Sequence, residues 1–522
     1  MPQYLSPGVY VEEMQPALRP IEGVATSVGA FVGIAADGPF HTPTLVTNWS
    51  QFVKTFGDPV PGAYLAQSVY GWFNNGGSIA YVVRVGGPAP GSVSNGNGNG
   101  RASKAAALPG PAAELMAGDA PALRVTGTDS GAVLTVEVAD PAEGDPGETF
   151  RIFVKRGEEV LETFDGLTAR RGKQNAATVV NAQSTHIRLE LLGDTRPANA
   201  AVSLSATAAP VGSTGKDLAP TSPAEYLGDS RARTGFGGLE AIEEITMVAM
   251  PDLMAAYSAG SIDLDGIKAA QLGLIAHCEL MGNRMAILDA PPGLDAQAVK
   301  DWRLNQAGYD SKFAALYWPH VKVFDPATGT NVLMPPSGHV AGMWARSDSE
   351  RGVHKAPANE VLRGVLDVEV GITRGEHDLL NPEGINVIRS FPGRGIRVWG
   401  ARTLSSDSSW RYINVRRLFN YVESSILNNT DWVVFEPNDP ELWGRIRRTV
   451  ASFLYTVWAS GALFGATPDQ AFYIKCDDET NPSEIIESGR VVTEIGMAPT
   501  KPAEFVVFRL AQLPTGTSAL SE

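Results

Sequence analysis

Cysteine and long apolar runs are scarce in this chain of 522 residues, and each scarcity excludes a class of protein. The two cysteines, Cys278 and Cys476, lie far apart, which fits a reducing compartment better than a secreted domain held together by disulfides. No run of about 18 apolar residues occurs, so we expect no membrane insertion. The net charge of −15 argues against a general nucleic-acid binder, because phosphate contacts require an excess of basic side chains.

Sequence signatures of enzymes and cofactor sites are missing as well. The stretch VGSTGKD is not a phosphate-binding loop, because Pro210 stands where the pattern requires glycine and Asp217 where it requires serine or threonine. The stretch FPGRGIRVWG fails the dinucleotide pattern at Val398, which should be glycine. No Gly-x-Ser-x-Gly or His-Glu-x-x-His occurs, and the seven histidines do not pair at metal spacing. We therefore predict no catalytic residue, no metal site and no cofactor.

A few polar residues nevertheless keep an enzyme hypothesis open. Asp252 and Asp289 follow two predicted buried strands, at the strand ends where α/β enzymes place catalytic groups. The alternative for both is helix capping and turn formation. His339 is the best candidate for a general base, although nothing supplies a nucleophile to work with it. His277 lies in an apolar helical stretch beside Cys278, where a hydrogen-bonded core histidine is the simpler interpretation.

Two stretches of biased composition divide the chain. Residues 86–104 are rich in Gly, Asn and Ser, and residues 206–226 are rich in Pro and Thr. Neither composition can bury a core, so we interpret both as linkers. The region between them contains short alternating runs, such as AVLTVEVAD and FRIFVKRG, separated by Gly, Pro and Asp turns. This pattern predicts a β-rich domain inserted into another domain.

The segments outside the insertion combine strands and helices. EITMVAMPD, RMAILDAPPG and FAALYWPHVKVFD are predicted as buried strands with helices between them, and this order indicates a parallel sheet. From residue 356 onward the pattern changes to strands, two amphipathic helices and three final strands. The predicted fold class is α+β and multidomain. It comprises an N-terminal arm at 1–22, an α/β domain at 23–86 and 226–355, the inserted all-β domain at 87–225 and a C-terminal α+β domain at 356–522.

The N-terminal stretch QYLSPGVYVEEMQPALRPIEG has the pattern of a lone strand. Val9 and Val11 share one face at the period of a strand, and prolines then stop it. A lone strand is unstable in water, so it must pair with its own domain or with another molecule. Residues 3–14 can reach roughly 40 Å when extended, far enough to enter a neighbouring globule. The prolines that follow and Gly23 are expected to act as hinges.

Several segments outside the insertion resemble a known family. In chain order they are YLSPGVYVEE, FVGIAADGP with FVKTFGDP, GGSIAYVVRV, SGHVAGMWARSDSERGVHKAPAN, GINVIRSFPGRGIRVWGARTL, WRYINVRRLFNYVESSI and APTKPAEFVVFRLAQ. Together they resemble the contractile tail sheath proteins of phage tails and phage tail-like contractile injection systems. The inserted domain resembles nothing specific, as suits a part of a sheath subunit that faces outward.

The resemblance implies a structural subunit. Such a subunit polymerises around an inner tube in a metastable extended state and contracts to drive the tube through a target envelope. The implied partners are further copies of the chain in stacked six-membered rings, the inner tail tube protein, and baseplate and terminal cap proteins. Assembly is expected in the bacterial cytoplasm, because the N-terminal residues lack the features of a secretory signal, and the product is a phage tail or tail-like particle.

In this family the terminal strands cross to neighbouring subunits and join their sheets, with hydrogen bonds between main chains as the joint. The residues that match the arm are Tyr4, Leu5, Val9, Tyr10 and Val11. Those that match the C-terminal strands, in RVVTEIGMAP and EFVVFRLAQL, are Val491, Val492, Phe505, Val506, Val507 and Phe508.

Contact with the tube is expected from a basic helix. Residues 390–450 contain nine arginines and six acidic residues, although the whole chain has a net negative charge. A contact based on charge suits a surface that must release on contraction. The expected residues are Arg445, Arg447 and Arg448, with a solvated helix face as the alternative.

Two other functions remain as alternatives. An α/β enzyme, hydrolase-like and with the β-domain as an accessory module, would use Asp252 and Asp289. It predicts a small oligomer with a deep polar pocket, and it leaves both terminal strands without a role. A tail-tube or baseplate subunit fits the same setting but not the length or the domain order.

Overall fold

The computed structural model describes residues 20–86, 112–117, 120–127, 134–142, 149–156, 159–170, 172, 174–184, 186–193, 195–204, 222–325 and 329–508. The predicted arm residues Tyr4, Leu5, Val9, Tyr10 and Val11 lie outside this part of the chain. In the part that is described, no helix is long and apolar enough to cross a membrane.

The strands are numbered here in chain order. They are β1 (Val28–Gly33), β2 (Thr44–Val46), β3 (Ile79–Arg84), β4 (Ala112–Ala117), β5 (Ala120–Gly127), β6 (Leu134–Ala139), β7 (Thr149–Arg156), β8 (Glu159–Thr168), β9 (Ile187–Leu191), β10 (Ala201–Leu204), β11 (Met247–Ala249), β12 (Met285–Asp289), β13 (Ala314–Trp318), β14 (Val321–Asp325), β15 (Thr330–Met334), β16 (Glu360–Val361), β17 (Val365–Val368), β18 (Ile385–Phe391), β19 (Gly395–Val398), β20 (Phe472–Lys475) and β21 (Glu494–Met497).

The helices are numbered in the same way. They are α1 (Trp49–Phe56), α2 (Leu65–Asn75), α3 (Ala176–Gln183), α4 (Pro223–Leu227), α5 (Asp252–Ser258), α6 (Leu264–Met281), α7 (Ala296–Asp301), α8 (Ser337–Arg351), α9 (Arg374–Leu380), α10 (Ile413–Asn429), α11 (Pro440–Ala459), α12 (Pro468–Ala471) and α13 (Ser483–Glu487). A π-helical stretch, Trp302–Ala307, continues α7, and 3-10 turns lie at Phe236–Ala241, Asn381–Glu383, Ser408–Trp410 and Asp431–Val433.

The largest sheet has nine strands in the order β16-β19-β18-β13-β12-β11-β1-β3-β2. The six strands from β18 to β3 are parallel to their neighbours, and the outer strands pair antiparallel. All residues of β1, β11, β12 and β13 are buried, as expected for parallel strands covered on both faces. The predicted parallel βαβαβ segment is therefore present, and α2, α5, α6 and α8 share its apolar core.

This sheet extends past residue 355, which the sequence analysis set as the end of the α/β domain. Strands β16, β18 and β19 belong to it, and β18 pairs in parallel with β13 through Leu316 and Ile385. The predicted boundary is too early, because alternating local patterns do not reveal which sheet a strand joins. A separate three-stranded sheet, β15-β14-β17, also joins strands from both sides of residue 355.

The strands between the two predicted linkers form sheets of their own. One has the order β10-β6-β7-β8 and the other β4-β5-β9, and all of their pairings are antiparallel. Residues of both sheets share a separate apolar core with α3. Strands β3 and β11, which precede and follow this region in the chain, both belong to the nine-stranded sheet.

The last part of the chain packs on a third core. Helices α10 and α11 supply most of it, together with the short β20-β21 sheet. The stretch RVVTEIGMAP was predicted to be a strand throughout, but β21 covers only Glu494–Met497. At 504–508, where a further strand was predicted, the chain forms neither helix nor strand, and residues 509–522 lie outside the described part.

Candidate subunit-joining site

Residues 20–26, which comprise the end of the predicted arm and the four residues after it, lie along helix α10. The backbone nitrogen of Val24 donates to Oγ of Ser425 at 3.1 Å, and Nδ2 of Asn429 donates to the carbonyl of Glu22 at 3.1 Å. Ile21 is buried in the core that α10 and α11 form. The arm therefore starts from a position that the C-terminal half of α10 holds.

Gly23 belongs to this anchored segment rather than to a hinge. A Cβ at this position would lie 2.1 Å from the hydroxyl oxygen of Tyr421, so only glycine fits against the ring. Because Ile21 and Val24 are held on either side of it, the expectation of a hinge at Gly23 is wrong.

A buried ion pair connects α10 to the central part of the molecule. Nη1 of Arg417 donates to Oδ1 of Asp348 in α8 at 2.8 Å. Nη2 of Arg417 also donates to the carbonyl of Thr26 at 3.0 Å, and the guanidinium lies 4.9 Å from the ring centre of Trp344. Helix α8, helix α10 and the start of β1 are thus joined through one side chain.

The N-terminal half of α10 holds the C-terminal segment. Nδ2 of Asn414 donates to the carbonyl of Thr500 at 3.0 Å and to the carbonyl of His354 at 2.8 Å. The backbone nitrogen of Thr500 donates to the carbonyl of Ala462 at 3.1 Å. Asn414 and Ser425 are separated by roughly 16 Å at the helical rise. One helix therefore holds both Thr500 and residues 22–24.

Residues 505–508, a short distance beyond this anchor, are apolar and exposed. The exposed fractions of Phe505, Val506, Val507 and Phe508 are 75%, 68%, 76% and 84%. A soluble subunit rarely exposes four consecutive large apolar side chains, and such a patch indicates a binding surface. We call residues 505–508 the C-terminal tail.

The β20-β21 sheet is a candidate acceptor for a further strand. It has only two strands, and such a sheet is marginally stable unless more strands or a helix cover it. An open groove of about 360 Å³ lies beside β20 and α11. Its lining residues are Arg447, Ala451, Asp469, Phe472, Tyr473 and Ile474.

Val491 and Val492 lie outside the strand in which they were predicted. The side chain of Asn481 satisfies both backbone groups of Val492, with Oδ1 accepting at 2.6 Å and Nδ2 donating at 3.0 Å. The buried amide thus replaces a strand partner at this position. Val491 packs against the core of α10 and α11.

The three arginines expected to contact a tube share helix α11 but not one environment. Arg445 forms an ion pair with Glu436 and lies over the ring of Trp432 at 5.2 Å. Nη1 of Arg447 donates to the carbonyl of Cys476. Arg448 is exposed. Two of the three side chains therefore also bind groups of their own subunit.

Asp252 and Asp289 are buried and hydrogen-bonded. Asp252 accepts from the backbone nitrogens of Ile34 at 2.6 Å and Leu65 at 3.2 Å, and also from that of Tyr64. Asp289 accepts from Oγ and the backbone nitrogen of Ser337 at 2.6 and 3.0 Å. Burial raises the pKa of each carboxyl to about 7, against the effect of these bonds.

A raised pKa can indicate a catalytic acid, but such a group must also meet a substrate. The exposed fractions of Asp252 and Asp289 are 0% and 3%. Their bonds join neighbouring elements, which agrees with the capping and turn interpretation of these residues.

The candidate base His339 is also a core residue. Its ring packs against Gly71 of α2, where an added Cβ would lie 2.6 Å from Nδ1. Burial lowers the pKa of His339 to about 4. His277 likewise has a pKa lowered to about 4, by burial and by Arg284, whose Nη1 lies 3.3 Å from Nε2 of His277. Both histidines are neutral at pH 7.

No metal site is visible in the described part of the chain, because it holds no group of three His, Cys, Asp or Glu side chains suited to a metal ion. Cys278 and Cys476 are both buried free thiols. Burial raises the pKa of Cys278 to about 12, so this thiol is protonated and unreactive at neutral pH.

The anchoring residues Asn414, Ser425, Asn429 and Asn481 were not predicted from the sequence. Each is a polar residue in a helix or loop, with no spacing that sets it apart from a solvated position. The partners of Asn414, Ser425 and Asn429 in the terminal segments lie 86, 401 and 407 residues away, whereas Asn481 binds Val492 only 11 residues further on. Only the folded arrangement shows that they hold the termini.

Comparison with known proteins identifies the class to which this fold belongs. Residues 237–404 match the family model of the phage tail sheath protein central domain, and residues 405–512 match that of the phage tail sheath C-terminal domain. The two matches are adjacent and together span just over half of the chain. The chain belongs to the contractile tail sheath family.

Individual relatives agree with this assignment. The tail sheath protein of Burkholderia phage BcepMu is 25% identical over 414 residues, which are 73% of this chain and 81% of that protein. The tail sheath protein of Vibrio phage KVP40 is 26% identical over 196 residues, or 37% of this chain and 28% of that protein. The fold is similar to that of the anti-feeding prophage helical sheath in its contracted state. The TM-score is 0.57 at 24% identity, over 97% of this chain and 99% of that one.

Proposed function

We propose that this protein is the structural subunit of a contractile sheath. It polymerises around an inner tube in a metastable extended state and contracts to drive the tube through a target envelope. The observation that carries the proposal is the C-terminal tail, which leaves four large apolar side chains 68–84% exposed on a folded subunit. A neighbouring subunit in a polymer would cover it.

The tail and the N-terminal arm would each add a strand to a neighbouring subunit. The β20-β21 sheet supports this role, because its two strands leave edges to which further strands can bond. Burial of each Val or Phe side chain of the tail would contribute about 1.5–3 kcal/mol. Hydrogen bonds between main chains would join the added strand to the sheet, and the side chains on its buried face would fix the register.

Helix α10 would keep the two joints at a fixed spacing. Asn414 holds the C-terminal segment and Ser425 holds the N-terminal one, so neither departure point can move without the other. Subunits could then rotate and repack while strands outside the anchors bend. The extended and contracted states would differ in subunit packing, and a trigger would let the more extensively packed contracted state form.

The remaining parts of the chain would face the other partners. The inserted β-rich domain at 87–225 would lie on the outside of the sheath. The C-terminal part would face the inner tube protein, with contacts from α11 through Arg445, Arg447 and Arg448. Six subunits would form each ring, and baseplate and cap proteins would bind the ends of the stack. The particle would be a phage tail or a tail-like injection system that assembles in the bacterial cytoplasm.

An enzymatic role is the less favoured alternative. Asp252 and Asp289 are buried and bonded to neighbouring elements, so neither carboxylate faces a groove that could hold a substrate. The groove beside β20 is lined by Arg447, Asp469 and residues of β20 instead. We therefore propose that the subunit acts through assembly and not through catalysis.

Electron microscopy of the purified chain tests this function. The full chain should form long hollow cylinders, whereas variants that lack residues 1–19 or 505–522 should remain small. A matched control replaces Met116, an exposed apolar residue of the inserted domain, with serine, and this variant should still form cylinders. Uniform small particles from the full chain, with or without an added tube protein, would contradict the sheath function.

A further inference from the structure

Glu504, directly before the C-terminal tail, is held far more firmly than the residues around it. Its carboxylate accepts from Nε and Nη2 of Arg402 at 2.9 and 2.7 Å. It also accepts from Nδ2 of Asn381 at 2.8 Å and from the hydroxyl of Tyr412 at 3.1 Å. The side chains of Arg402 and Glu504 are only 11% and 19% exposed.

The electrostatics favour a charged carboxylate at this position. Burial alone would raise the pKa of Glu504, but hydrogen bonds from Arg402, Asn381 and Tyr412 outweigh that effect and lower the pKa below its ordinary value. The pair is bidentate, and such charge-assisted bonds are among the strongest that proteins make. Glu504 is therefore ionised and bonded at neutral pH.

Arg402, the partner of Glu504, is hydrogen-bonded to the nine-stranded sheet. The backbone nitrogen of Arg402 donates to Oδ1 of Asn386 at 2.7 Å, and Nδ2 of Asn386 donates to the carbonyl of Arg402 at 2.8 Å. Asn386 is a fully buried residue of β18. Nη1 of Arg402 also donates to the carbonyl of Asn381 at 3.1 Å. The position of Glu504 is thus set by the nine-stranded sheet.

The neighbours of Glu504 show what this anchor does. Thr500 is held by Asn414 and Ala462, whereas Lys501 and Ala503 are exposed. After Glu504 all four residues of the tail are exposed. The last strong attachment of the described chain to its own subunit is therefore the carboxylate that precedes the apolar tail.

We propose that Glu504 is a latch that sets where the C-terminal tail leaves the subunit and passes load on the tail through Arg402 to the central sheet. This role rests on the proposed function, because it requires that the tail binds a neighbouring subunit. Glu504 acts by positioning: it keeps the tail away from its own subunit and limits the directions in which it searches for a partner. Without the latch, the loose segment would extend back to Thr500, and docking would order more residues at a larger loss of entropy.

Three variants of the full chain test the latch. Glu504→Ala removes the anchor, Glu504→Gln keeps its shape without the charge, and deletion of 505–522 removes the tail itself. Glu487→Gln changes an exposed glutamate of α13 in the same way as Glu504→Gln and serves as the matched control. Each protein is measured for cleavage by chymotrypsin after Phe505, for the yield of sheaths in electron micrographs and for its melting temperature.

The latch predicts faster cleavage after Phe505, by roughly tenfold for Glu504→Ala and less for Glu504→Gln, because cleavage tracks the fraction of opened chain. The sheath yield should fall in the same order. The melting temperature should stay within about 2 °C, and Glu487→Gln should match the original chain.

The latch is overturned if Glu504→Ala changes neither the cleavage rate nor the sheath yield while the deletion variant loses its sheaths. This result would leave the proposed function standing. A melting temperature lowered by more than about 5 °C in Glu504→Ala would also overturn the latch, because Glu504 would then support the fold itself. Normal sheaths from the deletion variant would instead overturn the role of the tail in the proposed function, and the latch with it.

Discussion

Arg417 and Asp348 form a buried ion pair, although they are 69 residues apart in the chain. Each side chain is only 3% exposed, and Nη1 of Arg417 lies 2.8 Å from Oδ1 of Asp348. The pair joins α10, which holds both chain ends, to α8 in the core of the nine-stranded sheet. The pair is thus one link between the segments held by α10 and the nine-stranded sheet, and the bond between Glu504 and Arg402 is another.

Removal of one partner of this pair should destabilise the fold strongly. Asp348→Ala would leave the Arg417 guanidinium buried without its counter-charge, and the free energy of unfolding should fall by about 3–5 kcal/mol. Urea unfolding at neutral pH measures this change. Glu190→Ala, which breaks the exposed pair with Arg124 in the inserted domain, is the control and should change it by less than about 1 kcal/mol. If both variants lost the same unfolding free energy, the buried pair would contribute no more than the exposed one, which would contradict this prediction.

Gly23→Ala tests the anchored start of the N-terminal arm. The new methyl group would overlap the Tyr421 hydroxyl, so the segment from Ile21 to Val24 should shift and the unfolding free energy should fall by about 1–3 kcal/mol. Differential scanning calorimetry measures the change. Gly371→Ala is the control, because no heavy atom lies within 4 Å of a Cβ at that position. A flexible hinge at Gly23 would instead tolerate alanine as well as position 371 does.

Asp252→Asn tests whether the buried carboxylate has a structural role. Asp252 accepts backbone hydrogen bonds from Ile34, Tyr64 and Leu65, and the amide group would point a donor at one of these N–H groups. The expected loss of stability is about 2–4 kcal/mol, measured by urea unfolding. The same change at the exposed Asp58 should have almost no effect. Retained stability for Asp252→Asn would return this residue to the list of candidate catalytic groups.

Acid should destabilise the protein through its buried histidines. Burial lowers the pKa of His277, His320 and His339 to about 4, and Arg284 adds to this for His277. In the unfolded chain the pKa is near 6.5, so below that pH the unfolded state takes up protons that the folded state does not. Stability is then lost as the pH falls from 6.5 towards 4, by about 2 kcal/mol per histidine at pH 5.

The raised pKa values of Asp252 and Asp289 act in the opposite direction, because these buried carboxyls take up protons in the folded state as the pH falls through 7. The contribution of a histidine is therefore measured by comparing the change in stability between pH 7 and pH 5 in the original chain and in a variant that lacks the ring.

His339→Asn separates this effect from other acid-sensitive groups. The variant removes one titrating ring, so its loss of stability between pH 7 and pH 5 should be smaller by about 2 kcal/mol than that of the original chain. A difference in absolute stability at pH 7 does not enter this comparison. An identical pH dependence in both proteins would show that His339 takes up protons equally in its folded and unfolded states.

Much of the fold could be predicted from the sequence because apolar patterns are local. Strands β11, β12 and β13 are continuous apolar runs between helices, and such runs are typical of a parallel sheet. Strands β4 to β10 agree with the β-rich pattern of the insertion, but the expectation of an all-β domain is wrong, because helix α3 lies within it and contributes to its core. The assignment of β16, β18 and β19 to the same sheet was missed, since strand neighbours far apart in the chain leave no local pattern.

The candidate site was predictable only in part. Phe505 to Phe508 could be singled out, because an apolar run near a chain end is visible in the sequence. Their position outside any strand was not predicted, and a strand was expected instead. Gly23 looked like a hinge because glycine is conformationally free, yet here it is required by the close approach of Tyr421. Composition cannot distinguish these two uses of glycine.

The sequence by itself determined the class of this protein, the parallel strands of its central sheet, the inserted β-rich region and the apolar character of its C-terminal tail. The class follows from the resemblance of several segments to a known family, and the other features depend on side-chain type and on periodicity along a continuous stretch. The tertiary structure alone decided that α10 holds both chain ends, that Arg417 and Asp348 are buried together and that Glu504 meets Arg402. Each of these contacts joins residues at least 69 positions apart, and hydrogen bonds and ion pairs of this kind depend on geometry that only the folded core provides.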